Sequence, residues 1–392
     1  MKIKSIRQAN SLKGKKVLMR ADFNVPITKN GKVGQSEDFR IVRTAPTIQY
    51  LIKKGAKIII MAHLGRPEGK VNLKYSLKPV AKRLSQIIKQ PVKLSPEIIG
   101  VKTDKLISQM KNGEVLLLEN IRFDKREEQA NNNFARELAS LGDLYVNDGF
   151  AVSHRDQVSV SVIQDFLPSY AGLLLEDEIK YLGGVLKNPK KPLVVIIGGA
   201  KISTKIRVIK NFAKVAKRIL LGGALANTVL KVMGVSVGKS PIEPEMFGEV
   251  KKFKLTDNNI VVPVDGVMAN NFNAKKGRMD ALADIKPEEL ILDIGPDTVK
   301  LYENILKSAK MVMWNGPMGL IENPVFARGT RSLIRILAGS KAQTIVGGGE
   351  TVQMIRKMKL ENKFSFISTG GGAMLEFLEG KKLPGLKKLV SR

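Results

Sequence analysis

Polar residues recur where apolar runs stop. The run in "VLMRADFNVP" gives way to Asp22 and Asn24, and "IIIMAHLGRPEG" ends on His63, Gly65 and Arg66. "VLLLENIRF" leads to Arg122, and "VNDGFAVSHRDQ" carries His154 and Arg155. Arg40 opens the segment that follows the first of these loops. Arginine's planar fork suits carboxylate and phosphate together, so this set fits a small, multiply anionic ligand. Each member alone has a plainer reading: a surface arginine, a capping aspartate, a satisfied buried histidine. Their joint occurrence in strand-end loops is harder to dismiss.

A second signal is glycine. Apolar runs end in "LVVIIGGAKIST", "RILLGGALANT", "AQTIVGGGETV" and "FSFISTGGGAML", and a fifth in "MVMWNGPMG". Glycine between a strand and a helix bares backbone N–H groups at a helix N-terminus, where an anion can sit. One such turn is weak evidence, since glycine also serves tight turns. Several in one sheet would converge on one crevice and favour nucleotide phosphates. Two look-alikes fail. "GVSVGKS" (Gly234–Ser240) has three residues between its glycines where a phosphate loop of the Walker type has four, and Pro241 follows. No G-x-G-x-x-G opens a helix after a strand, which removes the main support for a dinucleotide dehydrogenase.

Positioning these residues requires alternating strands and helices. The pattern predicts strands in "KKVLMRADFNVP", "AKIIIMA", "EVLLLEN" and "DLYVNDG", with helices in "DFRIVRTAPTIQYLIKKG", "SLKPVAKRLSQIIKQ" and "NNFARELASLG" between them. Continuous apolar strands separated by amphipathic helices indicate a parallel sheet covered on both faces. The fold class is therefore α/β, with two lobes, each a mainly parallel sheet under helices on both faces. The acidic-start helix "LEDEIKYLGGVLKN" and "PKKP" form the joint. The expected division is 1–174, a hinge helix over 175–192, and 193–374.

Composition bounds the function. A chain of 392 residues has room for about two to three domains. It has no cysteine, which excludes disulfides, thiolate metal sites and a cysteine nucleophile. No run approaches a membrane span, and "MKIKSIRQAN" lacks the apolar centre of a signal peptide, so no membrane partner and a cytoplasmic location are expected. Lysine and arginine number 66 against 36 acidic residues, a net charge of +30. Nucleic-acid binding would explain such a charge. The lysines are scattered and aromatics are 5%, so a solvated basic surface or an anionic small substrate is the better account, and no specific nucleic acid is expected.

"RADFNVP", "AHLGRP", "ENIRF", "GGAKISTK", "WNGPMG", "VGGGET" and "STGGGAMLEFLEGKKLPG" together resemble phosphoglycerate kinase, end to end and in family order. The resemblance implies reversible transfer of the acyl phosphate of 1,3-bisphosphoglycerate to MgADP, giving 3-phosphoglycerate and ATP. It implies that Asp22, Asn24, Arg40, His63, Arg66, Arg122 and Arg155 hold the glycerate substrate in the N-terminal lobe. Lys205 would hold nucleotide phosphates and Lys201 would meet the transferring group. Asn315 and Pro317 would line the nucleoside pocket, with Glu322 on the ribose. Gly348, Gly349, Glu350 and Thr351 would sit at the phosphates, with Glu350 at the Mg²⁺ ion. Gly370, Gly371 and Gly372 would line the transfer site, and Arg40, Lys201, Gly371 and Gly372 form the expected catalytic set. The family also has its C-terminal segment, here 375–392, returning to the first lobe. A monomer is expected.

The chemistry of the residues agrees with that implication. A carboxylate acceptor is already ionised at neutral pH, so the site needs no general base, and catalysis reduces to alignment and charge stabilisation of a loose transition state. Arginine-lined loops alone do not spell out glycerate, and another acyl-phosphate kinase remains the nearest alternative. The chain departs from the family pattern at Glu350, where Asp is usual, and in "DGFAVSHRDQ", where Gln157 replaces a second histidine.

Overall fold

The uninterrupted apolar runs become parallel strands buried on both faces. The computed structural model describes residues 2–253 and 259–391. The chain forms two compact units, Met1–Gly183 with Gly372–Arg392, and Gly184–Gly371. The first contains, in order, β1 (Lys2–Ile3), β2 (Lys16–Arg20), α1 (Phe39–Lys53), β3 (Lys57–Met61), α2 (Lys78–Ile88), β4 (Val92–Leu94), α3 (Val101–Ser108), β5 (Val115–Leu117), α4 (Asn132–Ala139), β6 (Leu144–Asn147) and β7 (Ser169–Ala171). Helix α5 (Leu173–Lys187) carries the chain across the boundary between units.

The first sheet runs β4-β5-β3-β2-β6-β7, all pairs parallel. Alternate side chains of each strand face opposite layers. Val17, Met19, Ile58 and Ile60 pack with Ile48 of α1 and Leu84 of α2. Leu18, Ile59, Leu116 and Tyr145 pack with Ile107 of α3 and Phe134 of α4. Each fully buried aliphatic side chain of this kind contributes about 1.5–3 kcal/mol relative to exposure. The start of α1 is fixed from α2: Arg83 donates from Nε (2.9 Å) and Nη2 (2.7 Å) to Asp38 Oδ2, immediately before the helix. Arg40 is the second residue of that helix.

The second unit contains β8 (Leu193–Ile197), α6 (Ile206–Ala213), β9 (Arg218–Leu221), α7 (Ala224–Val232), α8 (Phe247–Lys251), β10 (Ile260–Val261), β11 (Asp265–Ala269), β12 (Arg278–Ala281), β13 (Leu290–Ile294), α9 (Pro296–Lys307), β14 (Met311–Asn315), α10 (Arg328–Ala338), β15 (Gln343–Gly347), α11 (Gly349–Lys357) and β16 (Phe366–Ile367). Its main sheet, β10-β9-β8-β14-β15-β16, is parallel throughout. All five glycine-ended runs therefore finish along one edge. A separate antiparallel sheet, β12-β11-β13, was not expected from the sequence pattern. One of its edge strands, Arg278–Ala281, is mostly exposed and mixes charged with apolar residues, and only its pairing with β11 makes it a strand.

The chain ends in the first unit with α12 (Gly372–Leu378) and β17 (Val390–Ser391), the latter antiparallel to β1 with Ile3 opposite Val390. Phe377 meets Phe150 edge-on, ring centroids 6.0 Å apart. The Gly385 carbonyl accepts from Asn147 Nδ2 at 2.9 Å and Gln164 Nε2 at 3.0 Å. Among the described residues no helix is long and apolar enough to cross a membrane.

Candidate active site

In the first unit the order β5-β3-β2-β6 makes four neighbouring strands of those whose ends carry the polar set. From β2 the chain steps to β3 on one side, and β6 later pairs on the other, so the β2/β6 boundary is a topological switch point, where parallel sheets open a crevice. Asp22 organises it. Its Oδ2 accepts from Arg40 Nη1 at 2.6 Å, and its Oδ1 accepts from the Asn24 backbone at 3.1 Å. Asn24 Oδ1 in turn accepts from the Gly65 amide at 3.0 Å. This chain of contacts ties the β2 loop, the start of α1 and the β3 loop together.

His63 is buried and held neutral. Burial first, then the positive charges of Arg20, Arg122, Arg155 and Arg40, push its pKa well below the ordinary value. Arg20 Nη2 lies 3.2 Å from His63 Nδ1. A guanidinium can only donate, so Nδ1 accepts and the ring proton sits on Nε2. Asp22 Oδ1 is 3.9 Å from the same nitrogen, too far to compete.

The sequence reading passed over Arg20. It is completely buried, donates to Ser159 Oγ at 2.9 Å from Nε, and also donates to the Ala21 carbonyl. Ser159 Oγ donates to Glu127 Oε1 at 2.5 Å, and the Ser159 amide to Oε2 at 2.9 Å. Burial raises the Glu127 pKa while the Arg20 charge lowers it, and burial likewise lowers that of Arg20. The only sequence signal was position: Arg20 ends β2 two residues before Asp22. Nothing local marked Glu127 or Ser159 as its partners.

Among the described substrate candidates, Arg122 is the one whose buried donors lack partners. Nη1 donates to the Gly65 carbonyl at 2.8 Å, and Nε stands 3.3 Å from Glu128 Oε1 without a hydrogen bond. Nη2, like Nε, is buried with no hydrogen-bond partner among the described residues. Burial and the neighbouring Arg155 charge lower its pKa to about 10. Arg66 is exposed and Arg155 half-buried, and among the described residues neither side chain makes a hydrogen bond or ion pair with the Asp22 cluster. Arg155 nonetheless acts on His63, Arg122 and Arg20 through its charge. His154 is half-buried.

In the second unit the switch point lies between β8 and β14. There the Gly198 amide donates to the Asn315 carbonyl at 3.0 Å, and the Gly199 amide to that of Pro317 at 2.9 Å. The turns pack so tightly that a side chain at Gly316, whose φ is +90°, would strike the Gly198 carbonyl and Lys205 Nζ. Lys205 is buried and donates from Nζ to the Gly198 carbonyl. Burial lowers its pKa to about 8, partly offset by Glu350. Glu350 and Thr351 open α11, Gly348 before them has φ +95°, and the buried Thr351 hydroxyl has no partner among the described residues. Asn315 and Pro317 are buried. Lys201 and Glu322 are exposed, and among the described residues no contact joins either to this cluster. Gly371 (φ +50°) ends this unit, with open space where a side chain would stand, and Gly372 begins α12 in the first.

Among the described residues no three His, Asp or Glu side chains gather as a metal cage. Mg²⁺ is commonly held by one or two carboxylates plus substrate phosphates and water. An exposed Glu350 beside the glycine turns fits that mode.

The model of the phosphoglycerate kinase family matches residues 6–381. Phosphoglycerate kinase of Borrelia garinii subsp. bavariensis is 45% identical over 395 residues, covering 99% of this chain and 100% of that one. That of Coprothermobacter proteolyticus is 42% identical over 394 residues, covering 100% and 99%. The phosphoglycerate kinase structure from Coxiella burnetii is similar with a TM-score of 0.85 at 38% identity, and that from Pyrococcus horikoshii with 0.87 at 30%, each over 98% of both chains. With two parallel-sheet units, an arginine-lined crevice in one and converging glycine turns in the other, the chain belongs to the phosphoglycerate kinase family, kinases that transfer a phosphoryl group between 1,3-bisphosphoglycerate and ADP.

Proposed function

We propose that the two half-sites divide the glycolytic reaction between them. The first unit binds 3-phosphoglycerate or 1,3-bisphosphoglycerate through Asp22, Asn24, Arg40, His63, Arg66, Arg122 and Arg155. The second binds ADP or ATP through Lys205, Asn315, Pro317, Glu322, Gly348, Gly349, Glu350 and Thr351. Arg122 carries this reading: its buried, unpaired Nη2 is a donor in want of an anionic acceptor. The arginines around neutral His63 would hold an anion without competing for a proton.

Transfer needs no general base, because the acceptor carboxylate of 3-phosphoglycerate is ionised at neutral pH. Arg40 and Lys201 stabilise the charge on the transferring group, and Gly371 and Gly372 let backbone approach it. Mg²⁺, held by Glu350 and the nucleotide, would neutralise phosphate charge. Helix α5 and the segment to Pro192 serve as the hinge that brings the ligands to within about 3–3.5 Å for in-line transfer. The same reading places the enzyme in the cytoplasm, where phosphorylated metabolites are found, as a monomer with both half-sites on one chain.

A coupled assay with MgATP and 3-phosphoglycerate, against acetate and aspartate as acceptors, tests the assignment. Turnover is expected only with 3-phosphoglycerate, and equal turnover with acetate would overturn it. Small-angle scattering tests the hinge: the radius of gyration should shrink with both ligands bound, and an unchanged radius would remove it.

A further inference from the structure

We propose that Glu243 is a positioning residue for phosphoryl transfer, acting through Ile202 and Ser203 on the turn that carries Lys201 and Lys205. The inference rests on the reading of those two lysines as phosphate ligands. Between β8 and α6 the chain makes the turn Gly198–Lys205. The Ile202 and Ser203 amides donate to Glu243 Oε2 at 2.5 and 3.1 Å, and Ser203 Oγ donates to Oε1 at 2.5 Å. The Ile202 carbonyl accepts from the Lys205 and Ile206 amides, both at 2.8 Å. Ile202 is therefore held by the carboxylate at its amide and begins α6 at its carbonyl, with Lys201 directly before it.

Glu243 is itself tied down. Its amide donates to Thr228 Oγ1 of α7 at 3.1 Å. Asn227 Nδ2 of the same helix donates to the Pro241 carbonyl at 3.4 Å, and Ser240 Oγ accepts from the Ile291 amide of β13 at 2.8 Å. The strap Ser240–Glu243 thus transmits the place of α7 and β13 to the lysine turn.

The plainer reading is a helix cap. Caps accept from the second or third helical amide, here Arg207 or Val208. Glu243 accepts instead from Ile202 and Ser203, ahead of Lys205, the residue at the cap position, which makes no side-chain cap of its own. The carboxylate therefore holds the turn, and the turn sets where the two ammonium groups stand. Misplacing a reacting group by about 1 Å costs roughly a hundredfold in rate, so a loosened turn should affect both nucleotide affinity and turnover.

A glutamine can keep this geometry. Its amide oxygen accepts from the two backbone amides, and its NH₂ donates to Ser203 Oγ, which can reverse its role. Steady-state kinetics on the full chain test the proposal with E243A, E243Q, S203A and K205A. E243A should raise KM for MgATP and lower kcat, each by roughly tenfold, with KM for 3-phosphoglycerate within about twofold of wild type. E243Q should recover most of both, and S203A should fall between. If K205A loses MgATP affinity while E243A does not, the positioning role is overturned and the reading of the lysines stands. If K205A is unimpaired, that reading fails instead. E243Q as impaired as E243A would assign the effect to charge and overturn positioning. Should E243A not fold, S203A with wild-type kcat and KM would overturn it equally.

Discussion

Arg40 Nη1 lies 2.6 Å from Asp22 Oδ2 and 3.3 Å from the Asn24 carbonyl oxygen, while its Nη2 and Nε have no partner among the described residues. One nitrogen anchors the fork and the remaining donors stay available to an incoming anion. Asp22 is nearly buried and Arg40 one-third exposed, so the anchoring contact is screened by salt less than the free end is.

On the proposed reading those free donors serve chiefly the charge that develops on the transferring group, beyond Arg40's part in substrate binding. Arg40→Ala, and independently Lys201→Ala, should lower kcat on the order of a hundredfold, about 3 kcal/mol of transition-state stabilisation. Both KM values should move far less. Steady-state kinetics decide: a change confined to KM with kcat intact would return either residue to ground-state binding.

Arg66, Arg122 and Arg155 should behave as anchors. Arg122→Ala removes the two buried donors that lack partners, so it should weaken 3-phosphoglycerate binding most, by roughly ten- to a hundredfold. Arg66→Ala and Arg155→Ala should weaken it less, being more exposed. Calorimetry should find MgADP affinity unchanged in all three. Nucleotide affinity falling in parallel would contradict this division of labour.

The parts of the fold visible in the sequence were those whose burial is written locally. Ile58–Ile60 and Leu193–Ile197 are continuous apolar runs because both faces of a parallel strand are covered. The glycine turns were visible because a side chain at Gly198, Gly223 or Gly316 would strike neighbouring backbone. β12 was not, because an exposed strand owes its shape to β11 and not to its own pattern. The same limit applies at the site. Arg20, Glu127 and Ser159 form one buried network from three distant segments, and Glu243 reaches Ile202 from across 41 residues. No spacing rule joins such partners. Chemistry carried on strand ends is legible, whereas the groups that brace it from behind are not.

On the proposed reading, Lys205 gives the nucleotide site a pH signature. Its pKa of about 8 means the ammonium is lost as pH rises through that value. MgADP affinity should therefore decline above about pH 8, and Lys205→Arg, which stays charged, should flatten the decline. Phosphate contact favours the charged form, so binding near pH 8.5 should take up a proton, roughly half or more per site. Calorimetry in two buffers with different ionisation heats measures this uptake. Heats independent of buffer would remove Lys205 from contact with the phosphates.

Asp148 should make stability depend on pH. Its Oδ1 accepts from the Leu174 and Leu175 amides at 3.0 and 3.3 Å, at the start of α5, and a hydrogen bond from Thr47 also favours the charged form. Burial outweighs those hydrogen bonds and raises the pKa from 3.8 to about 7. Between those values the native state holds a proton that the unfolded chain has released, so this group's contribution to stability falls as pH rises from 4 to 7. Asp148→Asn should flatten that slope, by up to about 1.4 kcal/mol per pH unit. Urea unfolding of both proteins at pH 5 and pH 7 provides the comparison. The same pH difference in wild type and variant would show that Asp148 titrates alike in both states.

Two roles compete for Glu350. The residue is exposed in the first turn of α11, and its charge acts on Lys205. A negative charge at a helix N-terminus is worth about 0.3–1 kcal/mol, which would be its whole role if it were only a cap. Mg²⁺ instead demands near-octahedral oxygens at about 2.0–2.1 Å and keeps several waters. Glutamate reaches one methylene further than aspartate, so Glu350 would be able to hold the ion from a more distant backbone. As a ligand, Glu350→Ala should raise the Mg²⁺ concentration for half-maximal activity by roughly tenfold or more, and Glu350→Asp should recover much of the loss. Calorimetry adds a check without turnover: Glu350→Ala should weaken MgADP binding and leave metal-free ADP binding nearly unchanged. An unaltered Mg²⁺ titration in Glu350→Ala, with a small loss of thermal stability, would leave the residue as a helix cap alone.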